Sequence, residues 1–119
     1  REALAEYAWY RENSEWKTHP VGQKKPNSFG LYDMLGNVWE WCEDWYEDPY
    51  PEKAQTDPRG PESGSSKMYR GGSWDYNDFS TRLSLRYNIS PGSRSYNLGF
   101  RPVLSLLEGS ENLNPDCKQ

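Results

Sequence analysis

The chain has 119 residues, enough for one compact domain or a piece of a larger one. Only 34% of it is hydrophobic, yet 15% is aromatic, with six Trp and nine Tyr, so a few rings of roughly 150–250 Å² each must supply most of the buried area. A net charge of −4 excludes electrostatic attraction to nucleic acid or anionic lipid, and no apolar run approaches the ~20 residues that span a bilayer, so a soluble chain is expected.

The chain opens at Arg1 without Met and reads as a piece of a longer polypeptide. Leu4, Tyr7, Ala8 and Arg11 fall at helical spacing, which predicts a short helix within residues 1–13. Pro20, Gly22 and Pro26 make residues 14–28 a loop, followed by a short apolar stretch at 29–35. Gly36-Asn37 is a turn signal, and Val38 to Cys42 alternates as a strand, with Trp39 and Trp41 on one face and Glu40 on the other. Cys42, within this aromatic run, reads as a small buried hydrophobe. Residues 47–67 are rich in Pro, Gly, Ser and acids and form a long surface loop. Met68-Tyr69-Arg70 leads a strand into Gly71-Gly72, where a kink or close backbone approach is expected. Residues 75–96 carry no long regular element, and 98–103 read as a final strand buried at Phe100 and Val103. A domain is thus drawn over residues 1–107, followed by a polar tail over 108–119 that carries the free thiol of Cys117.

Three segments stand in order: Asn27 through Trp41 (NSFGLYDMLGNVWEW), Tyr69 through Trp74 (YRGGSW) and Asn97 through Arg101 (NLGFR), with the acidic aromatic run Glu43 to Tyr46 between the first two. Together they resemble the formylglycine-generating enzymes, or sulfatase-modifying factors, over roughly residues 1–104. The resemblance implies an irregular α+β, C-type-lectin-like fold with little regular secondary structure. It also implies that this is the C-terminal portion of a domain about twice as long, so the missing N-terminal half is an expected partner.

For the first motif, the residues alone allow a plain reading in which Asn37 satisfies turn backbone and Glu40 faces solvent. The resemblance implies instead a calcium site, with Asp33 and Glu40 giving side-chain oxygens and Gly36 and Val38 giving carbonyls, a donor set that suits this hard cation. Arg86 and Arg101 match family positions that brace loops through ion pairing and backbone bonds, a role suited to the guanidinium fork. Arg82 completes the basic constellation.

Catalytic members of the family bind copper(I) through two cysteines spaced C-x4-C, and soft thiolates suit that ion. The matching positions are Asp78 and Leu83, and no cysteine lies anywhere between Cys42 and Cys117, so no copper site is expected. His19 is the only histidine and reads as a packing or surface residue, which leaves no set for general acid–base or triad chemistry.

The leading expectation is therefore a non-catalytic domain that binds a protein or small-molecule ligand. Its ligand face would comprise Asp75, Tyr76, Asn77, Tyr87, Ser93, Arg94 and Tyr96, side chains of the kind paratopes use. In retroelement-diversified variable proteins of this type, the variable residues fall in this region. Trp74 and Phe100 are expected as buried anchors, and Tyr76, Tyr87 and Tyr96 as exposed contact rings. The competing expectation is a fragment of an oxidoreductase of the formylglycine-generating or iron-dependent sulfoxide synthase type.

Overall fold

The computed structural model describes residues 3–104; the expected polar tail and Cys117 lie outside the described residues. One helix, α1 (Leu4–Tyr7), precedes four strands: β1 (Trp39–Trp45), β2 (Lys67–Arg70), β3 (Arg86–Ile89) and β4 (Leu98–Gly99). They form one sheet in the order β3-β2-β1-β4, antiparallel except for the β1–β4 pair. Everything else among the described residues is turn and loop, an irregular α+β architecture.

The expected helix is much shorter than its periodicity suggests. A single turn has little stability of its own, and the chain leaves it at Ala8, which is extended at φ −139°, ψ 147°. Trp9 then forms a parallel bridge with Gly36, and the Asn37 N–H donates to the Trp9 carbonyl at 2.7 Å. Two residues on, the Arg11 N–H donates to the Tyr76 carbonyl at 2.9 Å. Tertiary backbone bonds here replace helical ones.

The sheet packs around one ring. Trp39 is 2% exposed, and Tyr69, Tyr76 and Tyr87 meet it edge-on with centroids 5.2, 5.3 and 5.5 Å away. Register explains the cluster: Tyr69 pairs with Trp41 and Tyr87 with Tyr69, so alternate positions of three strands share a face. Among the described residues, only Ala8, Tyr10, Trp39 and Met68 are buried apolar side chains. Polar groups fill much of the remaining interior: the Ser14 hydroxyl donates to the Trp74 carbonyl at 2.7 Å, and that of Ser73 to Asp75 Oδ1 at 2.6 Å.

Two strand expectations change. The final strand stops at Gly99, because β4 pairs with β1 only at Trp39 and Glu40. Phe100 and Val103 are not buried but 78% and 87% exposed. Conversely, β3 arises inside a segment expected to lack regular structure, because residues 86–89 complete the ladder on β2. The loop before β2 is exposed almost throughout, as its composition implies.

Candidate functional site

The turn before β1 is built from left-handed backbone. Asp33, Gly36 and Asn37 have φ of 54°, 75° and 59°, and Asp and Asn are among the few side chains that accept this region. Gly36 has no substitute, because a Cβ there would lie 2.2 Å from the Trp9 carbonyl oxygen. Asn37 holds the turn to the preceding loop, accepting from the His19 N–H at 2.9 Å and donating to the His19 carbonyl at 3.0 Å. His19 stacks on Trp9 with centroids 3.7 Å apart, which makes it a packing residue.

The four expected cation ligands come together. Asp33, Gly36, Val38 and Glu40 all line one cleft of about 490 Å³, rimmed by Val21, Leu31, Tyr32 and Phe100. Asp33 is buried; its Oδ2 accepts from the Gly22 N–H at 2.7 Å, while Oδ1 is buried without a hydrogen-bond partner. An uncompensated buried carboxylate oxygen is costly, and a hard cation is one group that compensates it. Glu40 differs from the solvent-facing residue of the plain reading. Its carboxylate takes a two-pronged bond from Arg101, Nε to Oε2 at 3.0 Å and Nη2 to Oε1 at 2.8 Å. Each carboxylate oxygen retains a further lone pair after that bond, so the donor set fits calcium best at Asp33.

Arg101 is the brace its motif implies. Besides Glu40, its Nη2 donates to the carbonyls of Tyr32 and Asp33 at 2.9 and 3.1 Å, tying β4 to the turn. The hydrogen bonds that Arg101 donates to Glu40 raise its pKa further above its already high ordinary value, against the opposing effect of burial. Arg86 does the same on the other side of the sheet. It pairs with Asp48 at 2.9 Å, donates to the Glu47 carbonyl and lies 3.8 Å from the centroid of Tyr50. Arg82 instead stacks on Phe79 at 4.3 Å.

The expected ligand face divides. Tyr76 and Tyr96 line a bowl of about 220 Å³ with Trp39, Tyr69, Ile89 and Asn97. Tyr96 is 75% exposed, but Tyr76 is half-buried and Tyr87, though 40% exposed, packs against Trp39; both support the core rather than standing free. Asp75 is engaged internally, receiving Ser73 and both bonds of the Asn97 amide at 3.1 Å. Asn77 closes a turn by accepting from the Ser80 N–H and the Thr81 hydroxyl. Ser93 and Arg94 sit in the turn between β3 and β4 and do not line the bowl. Trp74 is half-buried rather than a fully buried anchor. Sequence reasoning missed Trp39 and Tyr69 as bowl residues; their alternation with Glu40 and Arg70 was the available signal.

At the positions matching the family's copper ligands, Leu83 is 70% exposed and its carbonyl accepts from Arg70 at 3.1 Å. Cys42 lies half-buried on β1, where burial pushes its thiol pKa up, the opposite of an activated thiolate.

Residues 2–106 match the sulfatase-modifying factor enzyme 1-like domain. The chain belongs to that family. It is 42% identical over 94 residues to the formylglycine-generating enzyme of Streptomyces coelicolor, covering 76% of this chain and 30% of that protein. It is 44% identical over 87 residues to the serine/threonine-protein kinase pkn1 of Chlamydia caviae, covering 71% of this chain and 14% of the kinase. Among solved structures, Treponema denticola variable protein 1 superposes with a TM-score of 0.79 at 48% identity, over 84% of this chain and 36% of that one. PvdO from Pseudomonas aeruginosa follows with a TM-score of 0.68 at 32% identity, over 82% of this chain and 38% of that one.

These likenesses establish the formylglycine-generating-enzyme-type, C-type-lectin-like fold. The chain spans about a third or less of the length of the curated relatives it matches. Those relatives differ in activity by name, so membership of the sulfatase-modifying-factor family fixes the scaffold and leaves function to the site.

Proposed function

We propose that this chain is a non-catalytic binding module on the sulfatase-modifying-factor scaffold, and that its ligand enters the bowl bounded by Trp39, Tyr69, Tyr76 and Tyr96. The observation that carries the reading is that concave aromatic surface, open at Tyr96 and rigid at Trp39, in a sequence without cysteine between Cys42 and Cys117. Rigid rings give contact area at low entropic cost. The likeness to Treponema denticola variable protein 1 supports a further step, that residues 75–96 are the part diversified among such proteins. Tyr96→Ala is expected to weaken capture of a partner by at least about tenfold while leaving stability within about 0.5 kcal/mol. A partner captured equally well by Tyr96→Ala would place binding elsewhere.

In this reading a calcium-type cation is structural, held by Asp33 and Glu40 with the carbonyls of Gly36 and Val38. Support comes from the partnerless Asp33 Oδ1 at the cleft those residues share. EDTA is expected to lower the melting temperature, and Asp33→Asn to abolish that sensitivity. A melting temperature indifferent to EDTA and to added calcium overturns it.

The runner-up is a fragment of an oxidoreductase, favoured by the identity to formylglycine-generating enzymes. Conversion of a Cys-x-Pro-x-Arg peptide under oxygen with copper(I) decides between the two. The binding-module reading expects no turnover above a protein-free control, because Asp78 and Leu83 stand where thiolates would be needed.

A further inference from the structure

A cavity of about 620 Å³ lies away from both the cleft and the bowl, between the outer end of β1 and the loop over residues 47–66. That is within the range of roughly 300–1,000 Å³ in which small-molecule sites fall. The loop closes it by direct contact. A Cβ on Gly60 would lie 3.1 Å from the side chain of Asp44, and one on Gly64 would lie 3.0 Å from that of Trp45. At the other end Arg86 pins the loop through Asp48 and Tyr50, and Arg70 donates to the Tyr50 hydroxyl. Pro51, Pro58 and Pro61 stiffen the wall.

The chemistry of the lining is one-sided. The charged residues of the lining are Asp44, Glu47 and Glu62 against Lys53, and none of the three carboxylates has an ion pair among the described residues. The apolar part of the wall comes from Trp45, Tyr50, Met68 and the prolines. Both rings already carry cations of the chain itself: Lys67 Nζ lies 4.0 Å from the Trp45 centroid and Arg86 Cζ 3.8 Å from that of Tyr50. Carboxylates and π-faces attract the same kind of guest, a cation that also has apolar surface to bury.

We propose that this cavity binds a monocation on a short alkyl stem, the ammonium or guanidinium end of either a basic side chain or a free amine. An anionic guest would be repelled by the excess of carboxylates, and a neutral one would gain no attraction from them. A stem of three to five carbons matches walls built of proline rings, Met68 and Trp45, while the charged head meets the acids.

The test is a calorimetric or NMR titration of the chain with N-acetyl-lysine amide, n-pentylammonium, and the neutral N-acetyl-norleucine amide, which keeps the stem and drops the charge. The proposal expects saturable binding of at least one cationic probe, and binding of the norleucine derivative at least about tenfold weaker. Binding of the lysine derivative alone assigns the site to a protein side chain, and equal binding of pentylammonium assigns it to free amines. Glu47→Gln with Glu62→Gln, both exposed and with no side-chain hydrogen bond or ion pair among the described residues, is expected to weaken binding about five- to tenfold with an unchanged melting temperature. Raising salt is expected to weaken it as well. No saturable binding of either cation, equal binding of the neutral probe, or unchanged affinity in the double variant overturns the proposal.

Discussion

Arg101 shows how one side chain substitutes for secondary structure in this molecule. Its fork satisfies both oxygens of Glu40 and two carbonyls of the turn, with about a third of the side chain in solvent. Arg101→Ala removes the brace and leaves Glu40 half-buried and unpaired, and a loss of about 2–4 kcal/mol is expected in urea unfolding. Arg101→Lys keeps the charge but not the fork, and about half that loss is expected. Equal stability of the Lys variant and the parent would mean that charge alone matters. A second consequence at this scale concerns pH. Burial raises the pKa values of Cys42, Tyr10 and Tyr69 above their ordinary values of 9.0 for the thiol and 10.0 for the phenols. Each group binds its proton more tightly when folded, so its contribution is complete below the unfolded pKa and is lost as pH rises through the folded one. Stability is therefore expected to hold up to about pH 9 and to fall progressively above it. Cys42→Ala should remove the earliest part of that fall, measured as melting temperature between pH 8 and 11; an alkaline profile unchanged by Cys42→Ala would assign it to the tyrosines.

At the scale of elements, glycine placement decides where strands end and turns close. Gly30, Gly36 and Gly72 all have positive φ, at 76°, 75° and 82°, but their surroundings differ. Nothing lies within 4 Å of a Cβ at Gly30; at Gly72 it would meet Thr81 Cα at 2.9 Å, and at Gly36 the Trp9 carbonyl oxygen at 2.2 Å. Gly30→Ala is expected to cost about 1 kcal/mol from backbone conformation alone. Gly72→Ala should cost about 2–3 kcal/mol, and Gly36→Ala should prevent folding. A flat response across the three would refute the close approaches at Gly36 and Gly72. The same residues show what could be read beforehand. Gly36-Asn37 and Gly71-Gly72 announce their turns because local chemistry alone dictates them. The Leu4–Arg11 periodicity misleads because Trp9 and Arg11 find backbone partners 27 and 65 residues away, in Gly36 and Tyr76. No local pattern encodes such pairings, nor the pairing of residues 86–89 with β2. The motif makes the residues that share the turn cleft, Asp33, Gly36, Val38 and Glu40, legible as a group, whereas the bowl depends on strand register, so the sequence does not pick out Trp39 and Tyr69 as lining it, nor the internal bonds of Asp75 and Asn77.

At the scale of the whole molecule, more large apolar side chains are exposed than buried among the described residues. Against four buried apolar residues among the described ones stand Val21, Phe29, Phe100, Val103 and Leu104, each at least 78% exposed, and Val21 and Phe100 share the rim of the cleft at Asp33. Isolated exposed hydrophobes are ordinary, but side chains of this size around one cleft are proposed here as a surface that another body covers. The sequence pattern of residues 98–103 agrees, since it reads as a strand with Phe100 and Val103 inside. The sulfatase-modifying-factor relatives are at least three times as long as the matched region, so further sequence of the same domain type is the proposed cover. Taken alone, the chain is then expected to bind the dye ANS and to self-associate at micromolar concentration. Phe100→Ser with Val103→Ser should reduce both without lowering the melting temperature by more than a degree or two, because neither side chain supports the described core. Phe29→Ser serves as a separate probe of the same expectation at another exposed position. If the double variant melts well below the parent, those side chains already pack within the chain. If it self-associates as strongly as the parent, the attraction lies on another face, and the rim of the cleft is ordinary solvated surface.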